Sequence, residues 1–233
     1  MKIAILDCAR LVDPSLKKYG SIGKLVTNWL QPHLPAATFD VLAIAHGASF
    51  PVIAAYDGFI LPGSEHGVYD DTPWMKPLAT YLLDLRDAQK PLLGICFGHQ
   101  MMGHTFGGHA AKAGLGMCAG VRCWSVNDHT FDAMVLHQDQ VVEVPPNAKV
   151  IGGADYCENG VISYDFGGLS MQFHPEYTPE FVHDVIDVLD GSGMGPDASA
   201  QARETMARSV KKDLFGVQVA TFFREALDAK SLH

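Results

Sequence analysis

The chain is short of positive charge. Lys and Arg number 17 against 26 Asp and Glu, a formal net charge of −9 over 233 residues. No basic stripe exists to neutralise phosphates, so a nucleic-acid partner is not expected. Long apolar runs are also missing. The first run is only Ile3 to Leu6, stopped by Asp7; a secretory signal needs roughly 7–15 apolar residues. No stretch reaches the roughly 18 uninterrupted apolar residues of a membrane span. The expectation is a cytoplasmic protein with no membrane partner. The five cysteines are an odd number with no C-x-x-C pair, which argues against a disulfide framework or a zinc knuckle. Most should be small buried apolar residues. Neither HExxH nor the P-loop GxxxxGK[ST] occurs. His99, His104 and His109 recur every five residues, about 500° apart on a helix, so they do not share a face. A metal triplet there is not expected. Repeats and low-complexity segments are absent. Hydrophobic content of 48% with 18% charged residues excludes disorder.

What is present alternates between short apolar strands and helical stripes. Lys2–Cys8 reads as a strand. Ser15–Leu30 reads as a helix interrupted at Gly20 and Gly23. Thr38–Ala45 and Gly58–Leu61 read as strands, Trp74–Gln89 as a helix, Pro91–Ile95 as a strand and Phe97–Phe106 as a helix. Buried strands that do not alternate in polarity predict an α/β fold: a mostly parallel sheet with helices on both faces. The middle reads differently. Met117–Val126, Met134–Val142, Val150–Gly152 and Val161–Met171 are strands between turns rich in Asn, Asp, Gly and Pro, several of them antiparallel. Leu169–Phe173 should return to the core. Thr178–Leu189 is a helix with Thr178 as N-cap and Pro179 in its first turn. Gly191–Pro196 reads as a linker. An amphipathic helix follows through Met206, Val210, Leu214, Val217, Phe222, Phe223 and Leu227, with Gly216 against its continuity.

Chemistry concentrates around Cys96. A buried strand runs into it, an apparent helix leaves it, and Gly94 and Gly98 flank it at minus and plus two. This is a nucleophile elbow with Cys in place of Ser. The sharp turn leaves no space for side chains at the flanking positions and strains the nucleophile's backbone. The helix N-terminus beneath the sulfur favours thiolate. A nucleophilic thiol needs a base, and eleven histidines supply chance candidates. His174 ends the strand Leu169–Phe173, near the sheet edge to which an elbow points. Glu176 lies two residues on, close enough to orient an imidazole. From these residues alone, a loop histidine with a Glu before a helix N-cap reads equally well.

Gly94-Ile-Cys-Phe-Gly-His-Gln100 with the later Gln172-Phe-His-Pro-Glu176 resembles the class I glutamine amidotransferases. Two more segments agree. Asp57 to Ser64 looks like the family's oxyanion strand and loop. His137-Gln-Asp-Gln-Val141 with Pro145-Pro146 looks like its H-x-D-x-V…P segment. The resemblance covers roughly residues 1–190 and implies a flavodoxin-like core plus a small antiparallel sheet. It implies Cys96 as nucleophile, His174 as general acid/base and Glu176 as its orienting carboxylate. Backbone N–H groups of Gly63 and Phe97 would form the oxyanion hole, Gln100 would hold the glutamyl part of the substrate, and Ser64 would border that pocket. The implied reaction cleaves a γ-glutamyl amide through a Cys96 thioester and needs neither a metal nor an organic cofactor.

The loop departs from the glycine-rich G-G-P-G-S form. Here it reads Leu61-Pro-Gly-Ser-Glu-His-Gly67, continuing Val68-Tyr-Asp-Asp-Thr-Pro-Trp74. That form is similar to a stand-alone branch shared by the amidotransferase domain of GMP synthase and by hydrolases of γ-glutamyl peptides. The substrate is therefore a small molecule, glutamine or another γ-glutamyl compound. Residues 191–233 are expected to be a linker and a helical extension packed on the core. With about 40 residues beyond the catalytic region, an attached synthetase domain is not expected. An ammonia acceptor would be a separate synthetase subunit. A stand-alone peptide hydrolase and a non-catalytic regulatory subunit are the alternatives.

Overall fold

The computed structural model describes residues 1–210 and 212–230. In chain order its elements are β1 (Lys2–Asp7), α1 (Ile22–Leu30), β2 (Thr38–Ala43), β3 (Gly58–Leu61), α2 (Met75–Asp87), β4 (Leu92–Ile95) and α3 (Phe97–Thr105). The middle adds β5 (His109–Lys112), β6 (Cys118–Val126), β7 (His129–His137), β8 (Asp139–Glu143), β9 (Ala148–Ala154), β10 (Cys157–Tyr164) and β11 (Gly168–Met171). α4 (Pro179–Leu189), α5 (Pro196–Thr205) and α6 (Lys212–Lys230) follow.

Nine strands form one sheet in the order β2-β1-β3-β4-β11-β10-β9-β6-β7, and β5 pairs with β8 in a second, two-stranded sheet. The five strands from β2 to β11 are parallel. The four beyond them are antiparallel and continue the same sheet. The parallel strands alternate into two different cores. Ile3, Ile5, Ile60, Leu93 and Ile95 pack with Val26, Trp29 and Leu30 of α1 and with Phe215, Val219 and Phe223 of α6. Ala4, Leu6, Phe59, Leu61 and Leu92 pack on the other face with Leu78, Leu82 and Leu85 of α2 and with Phe97, Met101 and Met102 of α3. Covered on both faces, these strands read as continuous apolar runs. A third apolar cluster joins α4, the segment around Leu16 and the β6–β7 ribbon.

Several boundaries differ from the sequence reading, each for a local reason. Ser15–Leu30 splits into a 3-10 turn (Pro14–Tyr19) capped by Asp13 and a separate α1 capped by Ser21, with Gly20 at φ +80° between them. Met134–Val142 breaks at Gln138 into β7 and β8, and Val161–Met171 breaks at Asp165–Gly167 into β10 and β11. α5 carries no apolar stripe, burying only Ser199 and Ala202, so periodicity could not reveal it. Met206 and Val210 lie between α5 and α6 rather than on a helix. Gly216 does not interrupt α6; a Cβ there would sit 2.2 Å from the His33 ring, so glycine permits that close approach. Among the described residues no helix is long and apolar enough to cross a membrane.

Candidate active site

The sheet brings its chemistry to the carboxyl ends of β1, β3, β4 and β11, where open α/β sheets place their ligand crevices. β4 delivers Cys96. Its backbone stands at φ 52°, ψ −102°, outside the regions favoured for side-chain-bearing residues. Two bonds hold that turn. The Cys96 N–H donates to Met171 O at 2.8 Å, and Gln100 N–H donates to Cys96 O at 3.0 Å to begin α3. The flanking glycines are sterically required. A Cβ on Gly98 would lie 1.8 Å from Leu61 O, and one on Gly94 would lie 2.7 Å from Gly98 O. The buried thiol makes a weak contact to Leu136 O at 3.6 Å.

β11 delivers His174. Phe173 anchors the segment in the core beside Trp124, Phe131 and Phe215, and His174 N–H donates to Met134 O at 2.8 Å. Its Nδ1 lies 2.8 Å from Glu176 Oε1, with both side chains buried. A carboxylate only accepts, so Nδ1 carries the donated hydrogen. Nε2 is the nitrogen left for chemistry, and it has no hydrogen-bond partner among the described residues. Burial alone would lower the affinity of His174 for a proton. The Glu176 carboxylate and the Cys96 sulfur overcome that and raise its pKa to about 10.

Gly63 lies against both groups. A Cβ there would be 2.9 Å from His174 Cε1 and 3.7 Å from Cys96 Cβ. The N–H groups of Gly63 and Phe97 have no protein acceptor among the described residues. Ser64 is committed elsewhere. Its hydroxyl donates to Cys8 O at 2.8 Å and accepts from His66 N–H at 3.3 Å, which ties the loop to the end of β1. Gln100 lines the same cavity, but its amide nitrogen donates to Asp139 O (3.0 Å) and to Gln172 Oε1 (3.2 Å). Its carbonyl oxygen has no hydrogen-bond partner among the described residues.

The other nearby histidines are unsuited to act as base. His137 donates from Nδ1 to Asp139 O (3.0 Å) and accepts at Nε2 from the Tyr156 hydroxyl (3.1 Å). Burial pushes its pKa down to about 4. His99 contacts Ser170 Oγ at 2.7 Å, and burial pushes it down to about 3. His104 and His109 have ring centroids 5.6 Å apart, and no metal-ligating cluster exists among the described residues.

The cavity over Cys96 has a volume of about 340 Å³. It also shows what sequence reasoning missed. Tyr177 stacks on His174 with centroids 3.8 Å apart and planes 7° from parallel, and Phe181 backs it at 4.5 Å. Its place directly after His-Pro-Glu was the available signal. At the mouth, His66 lies between Asp70 (3.0 Å) and Glu65 (3.5 Å), and Arg10 N–H donates to Glu65 (3.1 Å). A larger depression of about 450 Å³ beside Val121, Met134, Pro179 and Arg208 holds neither a thiol nor an imidazole.

A family model described as glutamine amidotransferase class-I matches residues 22–184. Gamma-glutamyl peptidase 4 of Arabidopsis thaliana is 33% identical over 169 residues, 66% of this chain and 67% of that protein. GMP synthase [glutamine-hydrolyzing] of Azoarcus sp. (strain BH72) is 29% identical over 180 residues, 66% of this chain and 33% of that one. The crystal structure of a glutamine amidotransferase from Methylobacillus flagellatus shares the fold at 17% identity. Its TM-score is 0.78, covering 97% of this chain and 94% of that one.

Proposed function

Because the chain belongs to the class I glutamine amidotransferase family, we propose that it is a cysteine-dependent hydrolase of γ-glutamyl amides. One observation carries the reading. A thiol on a strained strand-to-helix turn meets a carboxylate-held imidazole with a free Nε2, beside two unengaged amide N–H groups.

The steps follow from those atoms. His174 takes the Cys96 proton, and the thiolate attacks the γ-carbonyl carbon. The oxyanion of the tetrahedral intermediate accepts from Gly63 N–H and Phe97 N–H. One such donor is worth about 2.7–4 kcal/mol in analogous sites. His174 Nε2–H protonates the departing nitrogen and the C–N bond breaks, leaving a γ-glutamyl thioester. Nε2 then deprotonates a water, which attacks the thioester. The C–S bond breaks, glutamate leaves and the thiol regains its proton. Glu176 holds the imidazole through both half-reactions. Neither a metal nor an organic cofactor enters this sequence. We assign the catalytic unit to residues 1–190, and to 191–233 a linker and a C-terminal helical extension packed on the core, of which 211 and 231–233 lie outside the described residues.

Two versions differ in the leaving group. Likeness to GMP synthase supports glutamine, with ammonia passed to a separate synthetase subunit. Likeness to the gamma-glutamyl peptidases supports a stand-alone enzyme for γ-glutamyl peptides. Glutamate release from each substrate class, with Cys96→Ala as control, separates them. Release from neither class by the folded protein would leave a non-catalytic subunit as the surviving reading.

A further inference from the structure

The hydrolase reading leaves the departing amine open, and the cavity wall on its side bears on that question. Two kinds of chemistry line the cavity. Glu65, His66, Gln100, Gln138 and Asp139 are polar. Leu16, Met117, Phe181, Val185, Val188 and Leu189 form an apolar wall. These six belong to one continuous apolar cluster, built from α4, the turn before α1 and the start of the β6 ribbon. Val12, 78% exposed, carries apolar surface on to the mouth.

Position decides which half of a substrate meets that wall. Tyr177 belongs to the apolar cluster and also stacks on His174. The wall therefore starts at the acid–base imidazole. The group that His174 protonates is the departing nitrogen, so whatever that nitrogen carries extends along the surface adjoining His174. Ammonia carries nothing to place there. Of the charged groups that line the cavity, the Arg10 guanidinium donates to Ala45 O, Asp13 accepts from Ser15, and Glu65 accepts from Arg10 N–H. An ionic side chain laid on those six apolar residues would lose water without gaining a polar partner from them, which opposes binding.

Resting on the hydrolase reading, we infer that the preferred substrates are γ-glutamyl amides whose amine bears an apolar side chain, with the α4 wall as the leaving-group subsite. Burial of one such side chain is the discriminating element. Wild-type full-length protein should cleave γ-glutamyl-leucine and γ-glutamyl-phenylalanine with kcat/KM about 10- to 100-fold above that for glutamine. γ-Glutamyl-glutamate should fall near glutamine.

The test measures glutamate release from these four compounds by wild type, Val188→Asp and Val188→Thr. Val188 is only half-buried, and threonine keeps its shape if aspartate prevents folding. Both variants should compress the leucine-to-glutamine ratio by about threefold or more. Equal or better use of glutamine or γ-glutamyl-glutamate by wild type would overturn the subsite. So would a ratio unmoved in the variants. A failure of the hydrolase reading itself looks different: wild type would then match Cys96→Ala on all four compounds.

Discussion

Replacing Glu176 with Gln removes one charge from a buried pair without changing its shape. Glu176 Oε1 lies 2.8 Å from His174 Nδ1, and the two side chains are 0% and 1% exposed. His174 is raised from an ordinary 6.5 to about 10. Each unit of such a shift corresponds to about 1.36 kcal/mol, so the ceiling is about 5 kcal/mol. Burial opposes the rise and Cys96 supplies part of it. Breaking one partner of a buried pair generally costs about 3–5 kcal/mol, and we expect the lower end. The sign is definite. A histidine raised in the folded state binds more protons folded than unfolded between pH 6.5 and about 10. Its stabilisation is complete below pH 6.5 and is lost as pH rises towards 10. Urea unfolding at pH 6, 8 and 9.5 should show wild type ahead of Glu176→Gln by about 3 kcal/mol at pH 6, with the gap closing on the alkaline side. Turnover should fall by roughly two to four orders of magnitude, because the imidazole loses the group that fixes its tautomer. A stability gap independent of pH would refute the assignment of the His174 proton to this pair.

Gly63→Ala would place a methyl 2.9 Å from His174 Cε1. kcat should drop at least about tenfold with near-normal urea stability, because misplacement of an ångström is catalytically expensive. Gly98→Ala meets the Leu61 carbonyl at 1.8 Å, and thermal unfolding should reveal a loss of about 3 kcal/mol or no folded protein at all. Tyr177→Leu removes the ring stacked on His174; kcat should fall about tenfold, and Tyr177→Phe should restore most of it. Equal losses in the two variants would move the effect from the ring to the hydroxyl. Phe215→Ala opens the core beside Phe131 and Phe173, at 4.4 and 4.8 Å, and should cost about 3 kcal/mol in denaturant unfolding.

The parallel half of the fold was legible because its strands are buried on both faces and its helices are striped. The Cys96 elbow was legible for the same local reason: the two glycines mark a steric demand that the Leu61 carbonyl enforces. The antiparallel strands were seen, but their joining of the central sheet was not, since alternation says nothing about which edge a strand meets. α5 was missed because it buries a serine and an alanine. His174 was recoverable from the residues only together with family likeness. Its distinction from His99 and His137 is tertiary: all three are buried, and only His174 has both a carboxylate partner and the free Nε2 facing the thiol's neighbourhood. Ser64 and Gln100 were found as cavity residues, yet their bonds to Cys8, Asp139 and Gln172 depend on strands far apart in sequence.

The site sits where the two halves of the sheet meet, and each half holds one side of the chemistry. β4 and β11 pair in parallel, with Ile95 opposite Met171, so the two strand ends release Cys96 and His174 side by side. The Cys96 amide is bonded to Met171 O, and the His174 amide to Met134 O of β7. Leu136, also on β7, faces the thiol. The Cys96 turn is therefore held by the parallel half, and His174 is held against the antiparallel half. α6 closes the arrangement from beneath: Phe215 packs on Phe131 of β7 and on Phe173, the residue before His174. A positive-φ cysteine is locally unfavourable. It persists because strands on both sides, and the helix under them, fix the backbone more strongly than that one residue can relax it.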